Sequence, residues 1–120
     1  MKYTYEPEIL DMGDHRRLFF KLPDEIKLVE VFLGIEIQSM EGDGEFFLEA
    51  IERVLMETDE IQVVHGNVVA LEILKGQTHV VEMLADDGLG NACYIETEEL
   101  KKLIYVWLDE LEKFNQDQKA

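Results

Sequence analysis

The spacing of apolar positions changes along the chain often enough to divide it into elements. Lys2 to Glu6 alternates, with Tyr3 and Tyr5 on one side, and Arg16 to Leu22 is dense in aromatic and aliphatic residues, so two short strands are expected around a Met12-Gly13-Asp14 turn. From Leu28 to Gln38 the residues Val29, Val31, Leu33, Ile35 and Ile37 fall on every second position, which predicts a further strand. The competing reading is a helix capped by Asp24 after Pro23; Gly34 in its middle and the many β-branched residues weigh against it.

Residues 39 to 45, SMEGDGE, form a polar loop with two glycines and place Asp43 to cap the next element. Phe46, Phe47, Ala50, Ile51, Val54 and Leu55 then repeat at three- and four-residue spacing, predicting an amphipathic helix from about Gly44 to Glu57. Between Ile61 and Leu84, three β-rich runs are separated by His65-Gly66-Asn67 and Lys75-Gly76-Gln77, the signature of an antiparallel meander. A loop around Asp86-Asp87-Gly88 leads to a last strand, Ala92 to Glu96, and Thr97 is placed to cap a closing helix whose apolar stripe includes Leu100, Leu103, Trp107 and Leu111. Trp107 is therefore expected in the core, and the polar tail from Asn115 to Ala120 is expected to fray. The sum is an α+β fold: a mostly antiparallel twisted sheet of about six strands packed with two amphipathic helices, the second at the C-terminus.

Length places these elements in a single domain, residues 1–120, and 47% hydrophobic content gives it enough apolar mass for a core. Charge is the unusual quantity. Asp and Glu number 27 against 11 Lys and Arg, a formal net charge of -16, which repels a phosphate backbone and argues against nucleic-acid binding. The apolar runs are short and interrupted by Glu, far below the roughly 20 residues that cross a bilayer, so no membrane span is expected. MKYTYEPEIL lacks the apolar core of a secretory signal. With Cys93 as the sole cysteine, a reducing, cytoplasmic location fits, and Cys93 itself reads as a structural residue without a basic neighbour.

Signatures of catalysis are missing. The glycines at 42, 44, 88 and 90 match neither a GxGxxG nor a GK[ST] pattern, Ser39 has no nucleophile-elbow context, and EGDGE departs from the calcium-loop register. No cofactor and no metal are expected. His65 and His79 offer the one acid–base alternative, either as two imidazoles meeting across adjacent strands or as one beside Glu72 or Glu82; otherwise they are a turn residue and a surface strand residue.

The remaining candidates are acidic clusters: Glu41, Asp43 and Glu45; Glu57, Asp59 and Glu60; and Asp86 with Asp87. Each reads either as a solvated surface or as a contact for a cationic protein, since acidic loops steer a partner of opposite charge. A different reading is self-association, with Tyr3 and Tyr5 exposed on an edge strand as the homodimer interface.

The meander HGNVVALEILKGQTHVVEML, followed by a loop and by YIETEELKKLIYVWLDELEKF, resembles in layout the small acidic immunity proteins of contact-dependent growth inhibition and related polymorphic toxin systems, and similar-sized YacL-like proteins. The resemblance covers roughly the last 60 residues, and the first half matches only in element order. It implies a bacterial, non-catalytic inhibitor that binds a cognate toxin domain, often a nuclease and hence basic. No binding residue is carried over by the resemblance; the acidic clusters are inferred from charge alone.

Overall fold

A computed structural model describes residues 1–83 and 91–119. The chain is α+β, with six antiparallel strands divided between two sheets and three helices, the last at the C-terminus. Strands β1 (Glu6–Asp11) and β2 (Arg16–Lys21) form a hairpin of their own. Its turn is the expected one: Gly13 has φ +91°, its N–H donates to Asp11 Oδ1 at 2.9 Å, and Met12 N–H donates to the His15 carbonyl at 2.8 Å. Residues Lys2 to Tyr5 precede β1 and are not a strand. Tyr3 is buried there, and Tyr5 stacks on Phe20 with ring centroids 4.9 Å apart. The pair thus belongs to the packing of the core, and the dimer interface expected on Tyr3 and Tyr5 has no exposed edge strand to use.

The second correction concerns residues 24 to 36, which are helical. A 3-10 turn, Asp24–Ile26, leads into α1 (Lys27–Val31), and a π-helical turn, Phe32–Glu36, ends it. Apolar residues here satisfy two periods at once. Alternation counts Val31 and Ile35, which stay half-buried and exposed; helical spacing picks Leu28, Val29, Phe32, Leu33, Glu36 and Ile37, all of them buried. Gly34, the residue weighed against a helix, sits in the wide π turn, where its carbonyl accepts from Arg17 Nη2 and Gln38 Nε2.

α2 (Glu45–Leu55) buries Phe47, Ala50, Ile51 and Val54 of the predicted stripe together with Leu48, while Phe46 of that stripe stays exposed and Leu55 half-buried. The meander comes next, as expected from its turns: β3 (Ile61–His65), β4 (Val69–Leu74) and β5 (Gln77–Glu82), joined on its far side by β6 (Ala92–Glu96) in the order β3-β4-β5-β6. α3 (Thr97–Lys119) runs through the segment expected to fray. Helices α2 and α3 pack on one face of this sheet, against Val64, Leu71, Ile73, Val80 and Ile95, and among the described residues nothing covers the other face.

Two polar contacts tie the layers. The buried Trp107 indole donates to the Ile37 carbonyl at 2.9 Å and meets Phe20 edge to face, joining α3, the exit of the helical segment and β2. Thr97 does not cap its own helix with its hydroxyl. That group donates to the Leu74 carbonyl and contacts the buried Thr78 hydroxyl at 2.9 Å, pinning the start of α3 to the β4–β5 turn.

Candidate functional site

Acidic side chains gather at both ends of β3, an edge strand of the larger sheet. Residues 57 to 60 lie just before it, on a turn in which Glu57 adopts φ +62°. Glu57 is ion-paired with Lys75, whose hydrogen bond holds its carboxyl below the usual range. Arg53 Nε donates to Asp59 Oδ2 at 2.6 Å and Gln62 Nε2 to the same oxygen at 2.7 Å, which lowers Asp59 in the same way. Glu60 is exposed and makes no ion pair among the described residues. Exposed pairs of this kind add little stability, and Glu60 is the carboxylate of this turn with no cation beside it among the described residues.

At the other end of β3 lies the segment 40 to 44. Gly42, at φ +82°, turns the chain, and Asp43 Oδ2 accepts the Gln38 N–H at 3.1 Å. Asp43 therefore braces its own loop and does not cap α2, whose N-cap is Gly44 without a side-chain acceptor. Glu41 and Glu45 are exposed or nearly so in this segment and at the start of α2. A cleft of ≈ 410 Å³ opens between this segment and the β3–β4 turn, lined by Glu36, Asp43, Phe46, His65 and Asn67 among others. Phe46 also borders a smaller depression of ≈ 290 Å³ beside Glu49, Arg53 and Gln62, the last two of which bond Asp59. Phe46 is 46% exposed although its ring packs edge-on against Phe47. The structure thus arranges six of the sequence-derived candidates around one strand; Asp86 and Asp87 lie outside the described residues.

Glu36 is absent from the sequence-derived candidates, and it organises this end of the site. Its buried carboxylate accepts three successive backbone N–H groups, from Asn67, Val68 and Val69, each at 2.8 Å. Gly66 leaves the space that the carboxylate fills, since a Cβ there would stand 2.2 Å from it. The signal in the sequence is a charged residue on the helical stripe that also holds Val29, Phe32 and Leu33. A charge on a buried face needs donors, and here the β3–β4 turn supplies them.

The histidines do not meet. β3 and β5 are separated by β4, so His65 stands opposite Ala70 and His79 opposite Glu72 and Tyr94. Among the described residues no three His, Cys, Asp or Glu side chains are grouped to hold a metal ion, and no helix is long and apolar enough to cross a membrane. Cys93 is half-buried beside Leu28 and Val29, and burial pushes its thiol up, away from the reactive thiolate.

Taken together, a helix-backed antiparallel sheet with carboxylates at both ends of an edge strand defines an acidic α+β protein. Comparison with known proteins narrows the class. A Bacillus cereus protein named "Immunity protein" is 45% identical over 114 residues, spanning 95% of this chain and 92% of the relative. The chain belongs to that immunity-protein family. No protein-family model matches it, and no solved structure does.

Proposed function

We propose that this chain is a non-catalytic immunity protein that binds and neutralises a cognate bacterial toxin domain. Kinship with a protein named "Immunity protein" over nearly the full chain carries the reading. The finer parts of the proposal are that the toxin is basic and nuclease-type, belongs to a contact-dependent or related polymorphic toxin system, and is met in the cytoplasm by this chain acting as a single domain. Support for a basic partner comes from the net charge of -16 and from Glu41, Glu45 and Glu60 around β3. Asp43 is held in place by the Gln38 N–H; Glu57 and Asp59, ion-paired with Lys75 and Arg53, join the proposed contact set by exchanging those cations for a partner's, and Asp86 and Asp87 extend it by sequence.

The test is co-expression with the C-terminal domain of any large protein found to be encoded upstream of this chain's gene. Growth restored by this chain, and lost on Glu41→Lys/Glu45→Lys/Glu60→Lys with the fold intact, is the expected outcome. Continued toxicity in the presence of well-expressed wild-type chain would overturn the reading.

A further inference from the structure

The uncovered face of the four-stranded sheet departs from the rule that a solvated sheet face alternates to polar residues. Its outward positions are set by the register. Seven of the twelve are apolar, Ile61 and Val63 on β3, Ala70 and Leu74 on β4, Val81 on β5, and Ala92 and Tyr94 on β6; the polar ones are His65, Glu72, Gln77, His79 and Glu96. Val63 is 57% exposed and Tyr94 56%, so the apolar area is presented and not folded away. One row crosses all four strands: Val63, Glu72, His79, Tyr94. Within it the His79 and Tyr94 rings are stacked, centroids 4.4 Å apart and planes 9° from parallel, which fixes both side chains before any partner arrives.

Charge decides what such a face can take. Glu72 sits inside the apolar area with no Lys or Arg at any outward strand position, while Glu96 at its corner is ion-paired with Lys2. A second copy would bring like carboxylates together in a desolvated contact, against a background of -16 on each chain. A partner with an apolar patch around a Lys or Arg has no such conflict: the cation meets Glu72 while the patch covers Val63, Leu74 and Tyr94. Four strands about 4.8 Å apart and five or six residues long give a face of roughly 300 Å² in projection, the size of a dry interface centre within a polar rim. The rim is present at one end, where Glu57, Asp59 and Glu60 lead directly into β3.

We infer that the open face of the β3–β6 sheet is the docking centre for the cognate toxin domain, with the Tyr94–His79 stack as its anchor and Glu72 as the receptor for a toxin cation. This rests on the immunity reading above and assigns that binding to one face.

The experiment is titration calorimetry of the purified chain against the purified toxin domain that the co-expression test identifies. Tyr94→Ala and Glu72→Lys are compared with Glu112→Lys, an equal charge change in the groove that α3 forms with Met40 and Tyr105. All three positions are outside the core, and circular dichroism and Tm confirm folding. The expected result is at least a 10-fold weaker Kd for Tyr94→Ala and for Glu72→Lys, with Glu112→Lys within about 3-fold of wild type, as surface anchors and rim charges differ. Wild-type affinity in both sheet variants, or a larger loss in Glu112→Lys, overturns the assignment while leaving the immunity reading intact. No binding by the wild-type chain overturns both. Sedimentation of the chain alone should show a monomer; a dimer dispersed by Tyr94→Ala assigns the face to a second copy and also overturns the proposal.

Discussion

Glu36 and Gly66 act as a unit. With three N–H donors aimed at one carboxylate, Glu36→Ala strands all three at the β3–β4 turn, and a loss of roughly 3 kcal/mol or more is expected in urea unfolding. Glu36→Gln keeps one acceptor oxygen and should cost about half as much. Gly66→Ala drives a methyl into the carboxylate and is expected to destabilise the wild type clearly, yet to add little in the Glu36→Ala background, where the obstruction is gone. That non-additivity is the diagnostic result; two independent, additive penalties would show that the carboxylate and the glycine do not share the site.

At the scale of elements, two carboxylates hold the N-terminal segment, Glu99 accepting the Lys2 backbone N–H at 2.8 Å and Glu96 two side chains. Lys2 Nζ and the Tyr3 hydroxyl both donate to Glu96, the last residue of β6, and these bonds hold the Glu96 carboxyl down to about 2 from an ordinary value of 4.5. The folded state therefore gains from this contact above about pH 4.5, and the gain disappears as pH falls toward 2. Because Glu96 is 39% exposed the effect is screened. Wild-type Tm should fall more steeply over this window than that of Glu96→Gln, and parallel profiles would contradict it. The strands of the meander are legible in the sequence because their turns are written locally, in HGN and KGQ. The helix at 24 to 36 is not, because its apolar residues satisfy both periods and only burial on the folded molecule separates Leu28 and Val29 from Ile35. Long-range choices are equally hidden. Nothing near Asp43 announces that it braces Gln38, and nothing near Glu36 announces donors more than 30 residues away.

For the whole molecule, one quantity drives two opposite salt effects. A net charge of -16 makes the folded chain repel itself, so added salt should raise Tm, while association with a basic partner should weaken as the Debye length shrinks from about 10 Å at 0.1 M toward about 4–5 Å at 0.5 M. Thermal melts and binding isotherms over the same salt series should therefore move in opposing directions; a binding constant indifferent to salt would remove charge from the recognition. The acidic clusters are readable as residues, but their arrangement around one edge strand depends on how α2 and β3 are laid side by side, which composition does not encode.

The single tryptophan offers a last consequence. Because Trp107 is sealed in the core and its indole is tied to Ile37, its emission is a built-in optical gauge of the assembled interior. It should shift to the red only when α3 parts from β2, and it should stay still when a partner lands on the far side of the sheet. One cuvette can thus tell a variant that has lost its grip from one that has lost its shape.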